Sequence, residues 1–561
     1  MEFYLKSLNK YKLPKEKGKV LKFLQDADYY FDQSIEYLDL EEFLPALDYI
    51  RRAIKLDPNE LDFKFLLAQI YSDMGLYQKS NFEYFKLLSI DEDLGECYLR
   101  ISQNYLMLKE EALAINYLKK SIEFDFDEDE ILDVDELMRE LNGGEFKLIS
   151  KDSENEMLLS YINKLIVLEE FEGALQLLKY IKPDSKYYIS ALNNAAFCSS
   201  CINDYEQEIA LADKVLKIEA DNINALCNLS DGYFNISDIT TAQETAQKLL
   251  NLNISDYNDY FKIAVVFLQC EYNELAIKFL NNYLSYYPYN DSALMLLSLV
   301  LYNQGDIESA KEYIYKLIRI DNSNTIAKYY HQYFIDNKDK KQKLQYIRQV
   351  PETEVKRRIQ MFEDISGYTA LELTKLIKAD PDFFDYTKWL FDFGKKPELC
   401  ETIISKLASN PDSKRFFRDC LVDATLPYQI KQMILKKVVY TLPSHKIALL
   451  HEEQIKFLSP KVNKKIFEFP KVYFEAFVDV YCSLAFIDTD FETALNRTVK
   501  KILNLITQSK AQFRSKRNIS ALFAYTLKRP EIFEDFKTVI QIFGADAATL
   551  KKYIKTLGLE R

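Results

Sequence analysis

Apolar and polar positions follow one another along most of the chain with the period of amphipathic helices, and the pattern itself repeats every 34 residues. Small residues mark the repeat in two series, with one exception: Ala46, Ser80 and Ala114, then Ala174, Glu208, Ala242, Ala276 and Ala310. Each apolar stripe ends at turn formers such as Asp57-Pro58. A period of this length is typical of stacked helix pairs that share a continuous core. The sequence therefore predicts an all-α solenoid.

The residues around each marker resemble the tetratricopeptide repeat family. One unit has Tyr260, Ile263, Ala264, Phe267, Ala276, Leu280, Tyr283 and Pro288, and the next has Leu294, Leu297, Ser298, Gly305, Ala310, Ile314 and Leu317. In that family, small residues at positions 8 and 20 let two antiparallel helices approach closely, and larger residues fill the seam against the next pair. The resemblance covers residues 27–335. It implies a tetratricopeptide-type α-solenoid superhelix.

Two interruptions divide the chain. Between Ala114 and Ala174 the 34-residue period is broken by an insert rich in acidic residues, and beyond about residue 335 the period is lost. The predicted segments are three repeats in 1–122, the acidic insert in 123–155, a second array of about five units with a closing helix in 156–335, a helical domain in 344–491 and a helical domain in 492–561. Prolines at Asp380-Pro381, Asn410-Pro411 and Leu426-Pro427 predict an irregular helical region, and residues 446–458 predict a single β-hairpin.

Two features depart from the family pattern. Glu208 stands where alanine is usual, and the first helix before Ala174 reads as shortened. Both weaken their units without breaking the phase.

Composition narrows the class of protein. The chain is 48% hydrophobic with 12 glycines and 14 prolines, which excludes a disordered protein and a large β protein. Eight cysteines scattered through helical segments indicate buried thiols in a reducing compartment. Because no apolar run has the length of a signal peptide or a membrane span, we expect a cytoplasmic protein without membrane contact. Of the net charge of −13, residues 492–561 contribute +8, from 14 basic and 6 acidic residues.

No pattern indicates catalysis, a cofactor or a metal. The three histidines are far apart in sequence, and no glycine-rich phosphate loop is present. Residues 125–136 mimic the acidic spacing of a calcium loop, but Glu130 stands where the turn requires glycine, so an acidic linker is the better interpretation. Cys198 and Cys201 have the spacing of a redox or zinc half-site, but they fall within a predicted helix and have no second pair. We therefore expect a non-enzymatic protein.

The resemblance also implies where a partner binds. In the family, the concave wall comes mainly from positions 2, 5, 9, 12 and 13 of each first helix, and it takes an extended peptide or a helix. The predicted groove residues are Asp28, Phe31, Asp39, Asp62, Phe65, Gln69 and Asp73 in the first array, and Asn193, Phe197, Asn224, Asn228, Asp231, Phe234, Asn235, Phe261, Gln269, Tyr302 and Asn303 in the second. The basic clamp by which some members hold a terminal carboxylate is not evident. An acidic wall followed by a polar and aromatic wall favours a basic or polar protein segment as partner; the alternative is an ordinary solvated surface.

The carboxyl-terminal stretch from Phe536 to Lys555 resembles a helix-turn-helix with its turn at Gly544. Together with the preceding helix it is similar to the last helices of cyclin-like repeats in transcription factor B proteins, or to sigma-type regulators. The basic and polar residues that would contact nucleic acid are Arg514, Lys516, Arg517, Thr549, Lys551, Lys552 and Lys555. The scaffold hypothesis therefore has an alternative, a repeat-containing regulator that binds DNA. The same sequence pattern would be produced by a helix pair that only packs against the protein and carries lysines near its carboxyl terminus.

Overall fold

The computed structural model describes residues 26–124, 151–167, 170–337, 343–441, 446–460, 462–487, 491–527, 533 and 535–559. These residues form 28 α-helices and one two-stranded sheet. The chain divides into two compact units. One unit contains the described residues of 26–124 and 351–559, and the other contains those of 151–350.

The first array consists of three helix pairs at the amino-terminal end of the first unit. Its helices are α1 (Ala27–Asp39), α2 (Phe43–Leu56), α3 (Leu61–Asp73), α4 (Tyr77–Leu88), α5 (Gly95–Met107) and α6 (Glu111–Ser121). The marker residues Ala46, Ser80 and Ala114 are fully buried on the second helix of each pair. Because these side chains are small, the two helices of a pair pack closely.

The second unit continues the same architecture. Its helices are α7 (Lys151–Val167), α8 (Phe171–Leu178), α9 (Tyr188–Cys201), α10 (Tyr205–Leu216), α11 (Ile223–Asn235), α12 (Ile239–Lys248), α13 (Asn258–Gln269), α14 (Asn273–Tyr286), α15 (Asp291–Gln304), α16 (Ile307–Ile320) and α17 (Thr325–Asp336). Among the first helices, α11 also contacts both α9 and α13. The closing helix is confirmed as α17. The prediction that the first helix before Ala174 is shortened is wrong, because this helix, α7, is 17 residues long.

A recurring hydrogen bond joins the two helices of several pairs. Ser34 Oγ donates to the Ala46 carbonyl at 2.9 Å, Ser102 Oγ to that of Ala114 at 2.6 Å, and Ser230 Oγ to that of Ala242 at 2.9 Å. In each case the serine is at position 8 and the alanine at position 20 of the repeat. The small residues therefore do more than allow close approach, since position 8 also satisfies a buried carbonyl.

The rest of the first unit is irregular and helical, as the sequence predicts. Its elements are α18 (Glu352–Ser366), α19 (Ala370–Ala379), α20 (Phe383–Phe393), α21 (Pro397–Leu407), α22 (Ser413–Leu421), α23 (Tyr428–Thr441), β1 (Ile447–His451), β2 (Gln454–Leu458), α24 (Lys471–Ile487), α25 (Glu492–Ser509), α26 (Lys516–Leu527), α27 (Phe536–Phe543) and α28 (Ala547–Thr556). The three predicted proline breaks fall between α19 and α20, between α21 and α22, and immediately before α23. Helix α24 is buried along most of its length and packs against α23, α25 and α26.

The predicted β-hairpin is confirmed, and it attaches the carboxyl-terminal part of this unit to the first array. Strands β1 and β2 pair antiparallel from Ile447 opposite Leu458 to His451 opposite Gln454. The Tyr117 hydroxyl of α6 donates to the Glu453 carbonyl at 2.7 Å and accepts from the Ile455 amide at 3.2 Å. The hairpin turn is thus held by the last helix of the first array.

Candidate protein-interaction surfaces

The acidic residues predicted to line the first groove are exposed. Asp28, Asp39, Asp62 and Asp73 lie on the first helices α1 and α3, and we call these four side chains the acidic row. Gln69 Nε2 donates to Asp73 Oδ1 at 2.9 Å, so that the aspartate is held in place within its own helix. Four carboxylates on successive first helices form a negatively charged surface.

Two aspartates of the acidic row have raised pKa values, first because of partial burial and then because of a neighbouring glutamate. Partial burial raises the pKa of Asp39, and Glu36 adds to the shift. Asp62 has a raised pKa for the same first reason, with a further contribution from Glu60. On α1, the pKa of Asp32 is raised by partial burial and then by the neighbouring carboxylates, Asp28 first among them. A positively charged partner favours the ionised form of such carboxylates.

The two phenylalanines of the first groove pack against their own array. Phe31 lies with its ring centroid 5.0 Å from that of Phe63, and Phe65 lies 5.2 Å from Tyr84 in an edge-to-face arrangement. Both side chains keep partial exposure. They form an apolar floor beside the acidic row.

Most of the polar residues predicted for the second groove are bonded to other repeats. The buried Asn193 donates its amide to Asn222 Oδ1 at 3.2 Å, and its carbonyl accepts from Asn228 Nδ2 at 3.2 Å. Asn224 Oδ1 accepts from Lys262 Nζ at 2.7 Å. These bonds link side chains of one repeat to the next, so the polar wall connects the repeats to one another.

A carboxyl pair lies at the centre of this network. Asp231 accepts from Ser200 Oγ at 2.7 Å and from Gln269 Nε2 at 2.5 Å, which joins three successive first helices. Glu208, only 1% exposed, faces Asp231. Burial raises the pKa of Glu208 to about 9, and the Asp231 carboxylate adds to the shift, so Glu208 is a neutral acid at pH 7. Gly232 makes room for α10, because a Cβ there would lie 2.7 Å from Ile209 Cγ1.

Asn303 contacts the chain that follows the array. Its Nδ2 donates to the Leu344 carbonyl at 2.8 Å, and its Oδ1 accepts from the Leu344 amide at 2.7 Å. Tyr302, predicted as a groove residue beside it, is only 5% exposed; its ring stacks on Phe334, and its hydroxyl donates to the Asn337 carbonyl. This end of the second array is therefore covered by residues of its own unit.

The aromatic residues predicted for the second groove differ in exposure. Phe197 is 47% exposed and meets Phe171 edge-to-face at 6.3 Å. Phe261 packs 5.3 Å from Tyr283, and Phe234 belongs to the margin of the core shared by α11 to α15. Asn235 is exposed at the end of α11. Of these residues, Phe197 and Asn235 are the most accessible.

The carboxyl-terminal helices α27 and α28 are separated by a short turn, and each packs against α26. Helix α27 ends at Gly544, which has φ +57°, and Asp546 Oδ1 accepts from the Thr549 amide to begin α28. Lys551, Lys552 and Lys555 are exposed on α28. The other predicted contacts are Arg514 and Arg517, both exposed, and Lys516, whose Nζ forms an ion pair with Asp479 at 2.8 Å.

The remaining sequence features give no site. The acidic stretch 125–136 lies outside the described residues. Cys198 is buried and Cys201 exposed on α9, and none of the eight cysteines, which all lie among the described residues, is in a disulfide. Within the described part of the chain, no group of three or more His, Cys, Asp or Glu side chains could hold a metal ion. No helix in that part is long and apolar enough to cross a membrane.

Two sets of contacts had no signal in the sequence. Asn104, 1% exposed in the first array, donates to Ser80 Oγ and Asn81 Oδ1 and accepts from Ser72 Oγ. Asn273, at the start of α14, accepts from the Tyr346 hydroxyl at 3.0 Å. Neither asparagine stands at a position that the family pattern marks.

Comparison with known proteins supports the repeat assignment. The model of the tetratricopeptide repeat family matches residues 27–60 and 291–324. Both segments are one 34-residue period long and place Ala46 and Ala310 at position 20. The TPR repeat-containing protein YvcD of Bacillus subtilis is 25% identical over 308 residues, which cover 53% of this chain and 62% of the relative. The chain thus matches less than two thirds of the relative's length.

Solved structures resemble parts of the chain at low identity. MamA of Desulfovibrio magneticus is 16% identical, and the match covers 32% of this chain and 99% of that chain with a TM-score of 0.24. A tetratricopeptide repeat protein of Parabacteroides merdae is also 16% identical, with 46% and 93% covered and a TM-score of 0.23. TM-scores this low carry no argument about function.

Proposed function

Because the chain is a tetratricopeptide repeat protein, we propose that it is a non-enzymatic scaffold that holds a basic protein segment against the first helices of its first array. Tetratricopeptide domains generally mediate protein–protein interactions. The segment is extended or helical and lies across α1 and α3. The eight cysteines, seven of them buried and none in a disulfide, support a site of action in a reducing compartment such as the cytoplasm.

The observation that carries this proposal is the acidic row. Its four aspartates, Asp28, Asp39, Asp62 and Asp73, are exposed on neighbouring first helices. The partly exposed rings of Phe31 and Phe65 lie on the same helices. Carboxylates beside an apolar floor complement a segment with lysine or arginine next to apolar side chains. Such a partner also favours the ionised form of Asp39 and Asp62, whose pKa values are raised by partial burial first and then by Glu36 and Glu60.

The experiment is a capture assay with the full chain. Replacing all four aspartates of the acidic row by lysine changes the charge of this surface by +8 and is expected to abolish capture of a basic partner from lysate. Far-ultraviolet circular dichroism checks that helicity is retained. Binding of the captured partner is then measured by titration at low and high salt, because charge pairing at an exposed surface weakens with ionic strength.

A second variant controls for net charge alone. Glu110, Glu111, Glu398 and Glu401 are exposed outside the first helices of the repeats. Their replacement by lysine gives the same change in charge and should leave capture intact. Equal capture by the acidic-row variant and this control would contradict the proposal.

DNA binding by the carboxyl-terminal helix pair is the second candidate, favoured by the three exposed lysines of α28. Glu492 Oε1 accepts from the Ser459 amide at 2.8 Å, and the Phe513 ring stacks on Tyr553, so α25 to α28 depend on packing with preceding elements. The test therefore uses the whole chain. Replacing Lys551, Lys552 and Lys555 by alanine should lower DNA affinity and reduce its salt dependence; unchanged salt dependence argues against this candidate.

A further inference from the structure

The segment that follows the second array returns to it. Residues 343–350, which we call the return segment, have no regular secondary structure. Leu344 is bound at both main-chain atoms by Asn303, and the Gln349 carbonyl accepts from the Tyr330 hydroxyl at 2.9 Å. The return segment thus contacts α15 and α17 through its main chain.

Asn303 offers a site for the main chain of an extended peptide. An asparagine amide carries a donor and an acceptor side by side, and here both face one peptide residue, with N···O distances of 2.8 and 2.7 Å. Such a pair binds the backbone of any residue in that conformation. Selectivity must therefore come from the neighbouring side chains.

Two side chains of the return segment enter the array at alternate positions. Leu344 is 8% exposed, and Tyr346 packs against the core formed by α11 to α15 while its hydroxyl donates to Asn273. Lys343, Gln345, Ile347 and Arg348 are exposed, and Val350 at the end of the segment is buried. The site therefore selects an apolar residue, then a tyrosine two positions later, and leaves the residues on either side of the tyrosine exposed.

We propose that the return segment is an internal ligand of a peptide site centred on Asn303, and that an extended segment of a partner protein with the same pattern displaces it. This inference rests on the proposed function, because it treats the repeats as a protein-binding surface, and it adds a second site with its own recognition chemistry. Since the return segment is tethered, its effective concentration is on the order of millimolar. A free peptide of equal intrinsic affinity therefore binds the wild-type chain weakly.

The test uses a fluorescent peptide with the sequence of residues 343–350 and the full-length chain. The double variant Leu344→Ser, Tyr346→Ala weakens the return segment and is expected to bind the peptide at least about tenfold more tightly than wild type, because the internal competitor is lost. Adding Asn303→Ala to the double variant should remove this gain. Gln345→Ala, an exposed change in the same segment, should behave as wild type.

Two results of the titration overturn the proposal: no gain in the double variant, or a gain that persists without Asn303. Hydrogen exchange on the wild-type chain gives an independent answer if the double variant loses helicity. Millimolar peptide should accelerate exchange at the Leu344 amide, and an unchanged rate at saturating peptide shows that the return segment is a fixed part of the array. The peptide titration tests only the site in the second array, whereas the capture assay tests the acidic row in the first array. The two proposals can therefore fail independently.

Discussion

The two arrays use the same repeat positions differently. At position 13 of the first helix, the first array carries Asp39 and Asp73, which are exposed. The second array carries Gln269, bonded to Asp231, and Asn303, bonded to Leu344. Aspartate can only accept hydrogen bonds when ionised, whereas an amide donates and accepts and so can join neighbouring main chains or carboxylates. At these four positions the first array presents charge, and the second array bonds to other parts of its own unit.

The largest expected effect is a loss of stability of the second array with rising pH, caused by the carboxyl pair Glu208 and Asp231. The pKa of Glu208 is raised from its ordinary 4.5 to about 9, so its stabilisation is fully present below about pH 4.5 and is lost as the pH rises towards 9. Between pH 5 and pH 8 we expect a loss of about 4 kcal/mol, at about 1.4 kcal/mol per pH unit. Thermal unfolding, with hydrogen exchange to locate the change in α10 and α11, measures it.

Glu208→Gln should remove this pH dependence because the amide stays neutral. Glu206→Gln, at an exposed position of the same helix, should keep it. If wild type and Glu208→Gln lose stability equally with rising pH, the neutral acid is not the cause.

The next effect tests the buried network of the first array. Asn104→Ala leaves the buried Ser80 and Asn81 and the half-buried Ser72 without this partner, and we expect the free energy of unfolding to fall by about 3 kcal/mol. In the second array, Asn193 has an Oδ1 atom without a hydrogen-bond partner among the described residues. Asn193→Ala should therefore cost less than about 1 kcal/mol. Urea unfolding of both variants measures the two changes in the free energy of unfolding. Equal losses would show that the two arrays do not differ in this respect.

The smallest effect concerns the hairpin. Tyr117→Phe removes one hydroxyl that serves both the Glu453 carbonyl and the Ile455 amide, and a loss of about 2 kcal/mol is expected. Exchange at the Ile455 amide should accelerate. Tyr161→Phe, at an exposed residue of the second array, is the matched control. An unchanged Ile455 exchange rate in Tyr117→Phe would show that the hairpin is held by other contacts.

Most of the fold can be predicted from the sequence because each repeat is formed by residues close together in the chain. Positions 8 and 20 lie on adjacent helices 12 residues apart, so Ser34 and Ala46 already mark a helix pair. The hairpin near residue 450 was predictable because its two strands are adjacent in sequence. Elements of this kind are formed by contacts between residues close in sequence, so a local pattern is enough to predict them.

The candidate sites were less readable. The pattern identified Asn303 as a first-helix residue, but its partner Leu344 lies 41 residues away. Leu344 and Tyr346 alternate with Lys343 and Gln345 just after the 34-residue period is lost, and the sequence pattern predicts only a domain boundary there. Tyr117 meets residues more than 330 positions later. Side-chain partners at such separations depend on tertiary packing, which no local period encodes.

The first unit is built from two separate segments of the chain, and this has a consequence for its folding during synthesis on the ribosome. Its two parts are separated by the whole of the second unit, and the Tyr117 hydroxyl meets its hairpin only after residue 455 has been made. Because domains generally form in the order in which they emerge, the contiguous second unit can complete itself while the first array still lacks its covering helices. A ribosome stalled between the end of the second unit and the hairpin should carry a finished second unit beside a protease-sensitive first array.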